Sequence, residues 1–165
     1  MAETTLGGNP VHTVGELPAV GSPAPAFSLV ADDLSEITLE SLRGSRVVLN
    51  IFHSIDTGVC ATSTRKFNEL AAGLANTKVV CVSLDLPFAF KRFCGAEGIT
   101  NVLTGSAFRS TFGDDYGVRL IDGRIAGLTA RSIVVIDEQG KVLHTQLCNP
   151  LGDEPDYDAA IAALA

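Results

Sequence analysis

The sequence predicts an α/β fold with a mixed central sheet flanked by helices, and three observations carry that expectation. "RVVLNIF" (Arg46–Phe52) and "KVVCVSLD" (Lys78–Asp85) are continuous β-branched and apolar runs, the pattern of strands covered on both faces. Between them, "ATSTRKFNELAAGLA" (Ala61–Ala75) places Phe67, Leu70, Ala71 and Leu74 on one helical face. Such a strand–helix–strand unit needs parallel pairing and a right-handed crossover. "SIVVIDEQGKVLHTQL" (Ser132–Leu147) is two strand runs joined by a short loop containing Gly140, a hairpin that adds antiparallel strands.

The remaining segments fit around that frame. "GELPAVGSPAPAF" (Gly15–Phe27) is the one Pro/Gly-rich stretch. It separates a short N-terminal β-hairpin, turning around "GGNP", from the main body. "FSLVADD" reads as a strand and turn, and "ITLESLRG" as a strand end leading into a helical turn. "PFAFKRFCGAEG" (Pro87–Gly98) has proline in its first turn and glycine at its end, so it is a short helix. "DYDAAIAALA" closes the chain as a helix. For this element order the thioredoxin-like arrangement with an N-terminal hairpin extension is the natural candidate, in a single domain over residues 1–165.

Composition narrows the function. The chain is 46% hydrophobic over 165 residues, enough for a core without staples. The 19 acidic against 12 basic residues give a net charge of −7, which argues against nucleic acid as a partner. No apolar run approaches the roughly 18 residues of a membrane span. "MAETTLGGNP" has neither a basic nor an apolar leader region, and the expectation is a cytoplasmic protein. In that compartment thiols stay reduced, so cysteines are reactive, metal-binding or buried more often than they are structural disulfides.

There are four cysteines: Cys60, Cys81, Cys94 and Cys148. Cys81, inside "VVCVS", reads as a small buried hydrophobe. Cys148 follows the last hairpin strand and has no special partner nearby in sequence. Cys60 follows a strand, then a polar loop, then a helix start near Thr57. With Thr57 as N-cap, Cys60 lies in the first helical turn, where free N–H groups and the helix dipole favour a thiolate. It also sits at the carboxyl end of a parallel strand, where sites gather. On position alone, inward packing of Cys60 explains it equally well. Cys94 lies near the C-terminal end of the next helix, followed by Gly95, and is placed toward the surface where that helix can fray. Neither the cysteines nor His12, His53 and His144 show zinc-site spacing, and no phosphate-binding glycine loop occurs.

Several motifs, "SIDTGVCATSTRKFNEL", "DLPFAFKRFCGAEG", "FGDDYGV" and "AGLTARSIVVID", closely resemble the thiol peroxidase (Tpx) family, the atypical two-cysteine branch of the peroxiredoxins. The resemblance runs from "GNPV" to "EPDYDAAIAAL". It implies a thioredoxin-like fold, a homodimer, and reduction of hydrogen peroxide and organic hydroperoxides without metal, haem or flavin. It implies recycling by thioredoxin. By match to the motifs, Cys60 would be the peroxidatic cysteine, Cys94 the resolving one, Thr57 the motif threonine and Arg131 the active-site arginine.

The chemistry asks for an ionised sulfur, oxygens in line with it, and hydrogen-bond donors for the departing oxygen. Arg131 is always charged and its planar fork can hold sulfur and peroxide together. Without the resemblance it would read as a strand-start arginine in solvent. The Thr57 hydroxyl can donate and accept. The Cys60 sulfenic acid would condense with Cys94, and a disulfide needs Cα atoms roughly 4.4–6.8 Å apart. One or both helix ends should therefore unwind, with Cys94 the easier to move.

The chain departs from the family at His53, where the loop motif has proline. Two outcomes stand side by side. A nearby imidazolium would favour the thiolate; a loop without its rigid proline would be wetter, misplace the peroxide and slow the reaction. The second is the expectation. It keeps an alternative function in view, a redox sensor with the same Cys60/Cys94 switch and little turnover. Phe90 stands where glutamine is common and Arg124 where proline is common. Phe90 would face either a partner subunit or the core.

Overall fold

The computed structural model describes residues 1–165. A hairpin comes first, β1 (Glu3–Leu6) with β2 (Asn9–His12). Its tight turn is Gly7-Gly8, both at positive φ, the backbone a two-residue hairpin loop requires. Asn9 and Pro10 already belong to the second strand. The hairpin is tied to the body where the His12 N–H donates to Asp122 Oδ1 at 2.7 Å. Val11 packs with Leu120, Ala130 and Leu151.

Seven strands make the main sheet. They are β3 (Ser28–Val30), β4 (Glu36–Thr38), β5 (Arg46–Ile51), β6 (Thr77–Ser83), β7 (Leu103–Ser106), β8 (Ser132–Ile136) and β9 (Val142–Leu147). Their spatial order is β4-β3-β7-β6-β5-β8-β9. β5, β6 and β7 run parallel; β8 is antiparallel to β5, and β3 to β7. This is the mixed sheet expected, with the two long apolar runs at its centre.

The helices are α1 (Gly58–Ala71), α2 (Pro87–Glu97), α3 (Phe112–Asp115) and α4 (Tyr157–Ala162). Alternation along β5 serves two cores. Val47, Leu49 and Ile51 pack with Leu29, Val80, Val82, Phe112 and Tyr116 on one face. Val48 packs with Val79, Ile133, Val135, Phe67 of α1 and Ala160 of α4 on the other. α1 ends before the sequence-based boundary, at Ala71 rather than Ala75, with Gly73 just beyond it. α2 continues past Gly95 to Glu97 and is capped by Gly98 in the left-handed region. Cys94 is therefore inside the last helical turn and half-buried, with its carbonyl accepting from Ile99 N–H at 2.9 Å.

Two elements carry little sequence signal. β7 is only "LTGS", and it has a glycine because of close packing. A Cβ on Gly105 would stand 2.8 Å from Leu29 Cδ1, so the strand trades side-chain bulk for approach to β3. α3 is a single turn of four residues, too short for helical periodicity to show.

Candidate active site

The loop from Phe52 to Thr57 joins β5 to α1 at the carboxyl edge of the parallel strands. It is held from several sides. Thr129 Oγ1 donates to Phe52 O at 2.7 Å. Asp85, just past β6, accepts from Ile55 N–H at 2.7 Å and from Ser54 Oγ at 3.0 Å, and Ser83 Oγ also donates to it. Ser54 Oγ accepts from Asp56 N–H at 3.1 Å. Arg92 on α2 donates to Asp56 at 3.0 Å. Asp85, Ser54 and Thr129 were not singled out from sequence. The readable signal was the position of Asp85 at the end of the strand adjacent to the one that delivers the loop.

Thr57 occupies the N-cap position with extended backbone but makes no side-chain cap bond. Its hydroxyl instead donates to Ser54 O at 2.9 Å. The first intrahelical bond runs from Ala61 N–H to Thr57 O, so the N–H groups of Gly58, Val59 and Cys60 precede the ladder. Cys60 is in the first turn, as the sequence led us to expect.

The Cys60 side chain is fully buried, packed among Phe52, Ile55, Cys81 and Phe90. The inward packing weighed from sequence is thus what the structure shows. Burial by itself raises a thiol pKa, yet that of Cys60 is brought down to about 7. Hydrogen bonding from His53, Thr57 and the Ser54 backbone, and the charge of Arg131, overcome the desolvation. The other thiols go the opposite way. Burial pushes Cys81 up to about 12. Burial, with the negative charge of Asp32, pushes Cys94 up to about 11. Burial pushes Cys148 up to about 11, despite Arg131 nearby.

Arg131 immediately precedes β8, whose Ser132 pairs with Ile51 at the end of β5. It is 1% exposed, which excludes a solvent-facing strand-start arginine. Its Nε donates to Leu151 O at 2.8 Å, while its Nη1 is buried without a partner. A buried guanidinium with an unused donor is costly unless an anion or a polar ligand completes it.

His53 is half-buried. Its Nε2 lies 3.8 Å from Cys60 Sγ and 3.4 Å from Thr57 Oγ1, and its Nδ1 is buried without a partner. The ring is therefore turned onto the sulfur, the placement needed by the first of the two outcomes weighed for it. Phe90 faces the core: it is 0% exposed and meets Phe52 edge-on with ring centroids 6.3 Å apart. Arg124 is exposed. Cys94 lies outside the apolar cluster around Cys60, and all four cysteines are free thiols. The site thus brings together Cys60, Thr57, His53 and Arg131, while Cys94 waits on α2.

Comparison with known proteins gives the family. The Redoxin family model matches residues 19–161. The thiol peroxidase of Mycobacterium tuberculosis strain H37Rv is 60% identical over 164 residues, 99% of each chain. That of Corynebacterium glutamicum is 57% identical over the same length, again 99% of each. A crystal structure of a peroxiredoxin-like protein from Aquifex aeolicus superposes with a TM-score of 0.93 at 40% identity, covering 98% of this chain and 95% of its own. With a buried first-turn cysteine on a thioredoxin-like frame and relatives this similar over nearly the full length, the chain belongs to the Redoxin family and, within it, to the thiol peroxidases.

Proposed function

We propose that the chain reduces hydrogen peroxide and organic hydroperoxides through Cys60, with Cys94 as the resolving thiol and thioredoxin as the reductant. The observation that supports this most directly is the contrast among the cysteines. Cys60 alone is drawn down to about 7 although it is buried; the other three are driven upward. A thiolate available near neutrality is what attack on an O–O bond needs.

In this reading the Cys60 thiolate attacks the distal oxygen of the peroxide. The unpartnered Nη1 of Arg131 and the first-turn N–H groups of α1 receive the negative charge that develops on the departing oxygen. The Thr57 hydroxyl orients the peroxide against the sulfur. The sulfenic acid on Cys60 then condenses with Cys94, expelling water and forming an intramolecular disulfide. Thioredoxin reduces that disulfide by thiol–disulfide exchange. No helix is long and apolar enough to cross a membrane, and we place the enzyme in the cytoplasm, as a homodimer acting in antioxidant defence without a metal or organic cofactor.

The experiment is peroxide-dependent NADPH oxidation with thioredoxin and thioredoxin reductase, run beside Cys60→Ser. Sustained turnover lost in Cys60→Ser supports the peroxidase. One round of oxidation to a Cys60–Cys94 disulfide without turnover would instead favour a redox sensor.

A further inference from the structure

His53 is the group at the site that the reaction above leaves without a task. Its ring makes two polar contacts, both through Nε2: Cys60 Sγ at 3.8 Å and Thr57 Oγ1 at 3.4 Å. The Thr57 hydrogen is directed to Ser54 O at 2.9 Å, so Thr57 offers His53 a lone pair rather than a proton. Proton traffic at Nε2 is therefore with the sulfur and with whatever lies against it.

The far side of the ring is equally informative. Nδ1 is buried and unpartnered, so no carboxylate is bonded to the ring. The acidic groups of this loop are engaged elsewhere, Asp85 with Ile55, Ser54 and Ser83, and Asp56 with Arg92. The cation acting on the sulfur, Arg131, is bonded to Leu151 O. The ring therefore has one nitrogen with no fixed partner. Imidazole is also the side chain that exchanges protons in the neutral range, where a proline has no proton to exchange.

Resting on the peroxidase reading, we propose that His53 is a catalytic residue, the proton carrier of O–O cleavage, which takes the Cys60 thiol proton at Nε2 and delivers it to the departing oxygen. The thiolate attacks the hydroxyl oxygen of ROOH. The S–O bond forms as the O–O bond breaks; the sulfur is oxidised by two electrons and the peroxide reduced by two. The departing RO⁻ takes the proton from Nε2. Cys60 becomes Cys–SOH, ROH leaves, and the imidazole returns to neutral. In net terms Cys–SH and ROOH become Cys–SOH and ROH. Delivery matters most for alkyl hydroperoxides, whose alkoxides leave poorly, and least for peracids, whose carboxylates leave without a proton.

That difference is the test. Reduced wild type, His53→Gln and His53→Pro are mixed in single turnover with tert-butyl hydroperoxide and with peracetic acid, and remaining Cys60 thiol is counted after quenching. With each rate divided by the fraction of Cys60 ionised in that variant, read from its alkylation pH profile, both variants should lose about 10–100-fold on tert-butyl hydroperoxide but less than about threefold on peracetic acid, the signature of lost general-acid help. Equal losses on both oxidants, or no loss on either, would overturn the proposal, since misplacement of Cys60 slows every oxidant alike. If His53→Pro fails to fold, His53→Gln carries the comparison. Wild type inert toward both oxidants would sink the peroxidase reading itself, and His53 with it. Wild type that reacts while its variants lose evenly sinks only the role of His53.

Discussion

The Asp85 carboxylate accepts the Ile55 N–H at 2.7 Å, and through that bond the end of β6 sets the loop that β5 delivers to Cys60. The same carboxylate also takes hydrogen bonds from Ser54 and Ser83. Removing it leaves three donors in a half-buried place without an acceptor. Asp85→Ala should destabilise the protein by about 1–3 kcal/mol, and peroxide reduction should fall more than stability alone explains, because misplacing the nucleophile by an ångström costs on the order of 100-fold. Thermal unfolding and single-turnover peroxide reduction, measured on the same preparation, check this.

Ionisation of Cys60 should be visible as a pH profile. Alkylation of the reduced protein at Cys60 should be slow below and fast above a midpoint near pH 7, since the protonated thiol is unreactive and its pKa is brought down to about 7. Arg131 is the charged side chain that helps hold it there, and His53 is the first hydrogen-bonding group. His53→Pro should move the midpoint up toward the ordinary thiol value of about 8.5. Cys81, Cys94 and Cys148, all pushed upward, should stay unmodified at neutral pH. An unmoved midpoint in His53→Pro would show that the imidazole does nothing for the thiolate.

Phe90 and Phe88 lie on the same short helix and should respond in opposite ways. Phe90 is 0% exposed, packed on Phe52 beneath Cys60, whereas Phe88 is 64% exposed. Phe90→Ala should cost about 3–5 kcal/mol by denaturant unfolding, and Phe88→Ala within about 0.5 kcal/mol in the isolated chain. A large effect of Phe88→Ala at high protein concentration that vanishes on dilution would place Phe88 in an interface between copies of the chain.

Oxidation should loosen α2. Cys60 is enclosed in its apolar cluster and Cys94 stands outside it, within the last turn of a helix capped at Gly98. For the proposed Cys60–Cys94 pairing, whose Cα atoms must come to within roughly 4.4–6.8 Å, that turn is the one expected to open. Amide hydrogen exchange over residues 87–98 should rise when peroxide is added, and it should not rise in Cys94→Ser. Unchanged protection in the oxidised wild type would argue that the disulfide forms by another movement.

How far the sequence could be read depended on whether a residue's signal was local. The strands around Arg46–Ile51 and Thr77–Ser83, the helix carrying Phe67 and the hairpin after Ser132 declare themselves through runs and periods of apolar residues, because burial of those residues forms the elements. β7 was not visible, since Gly105 owes its place to Leu29 on a neighbouring strand. The first-turn position of Cys60 was legible from the strand–loop–helix order, while the Asp85 bonds to the loop were not, because they join residues thirty positions apart.

By itself the sequence determined the fold class, the order of the elements other than β7 and α3, and the family, since those follow from local apolar patterning and from motifs that can be recognised in a line. Only the tertiary structure decided the electrostatics of the site. It turned Arg131 inward with an unpaired donor, set Phe90 in the core, and put the His53 ring onto the Cys60 sulfur. A pKa depends on distance, burial and the direction of hydrogen bonds, and those quantities exist only once separate strands and loops have been packed against one another.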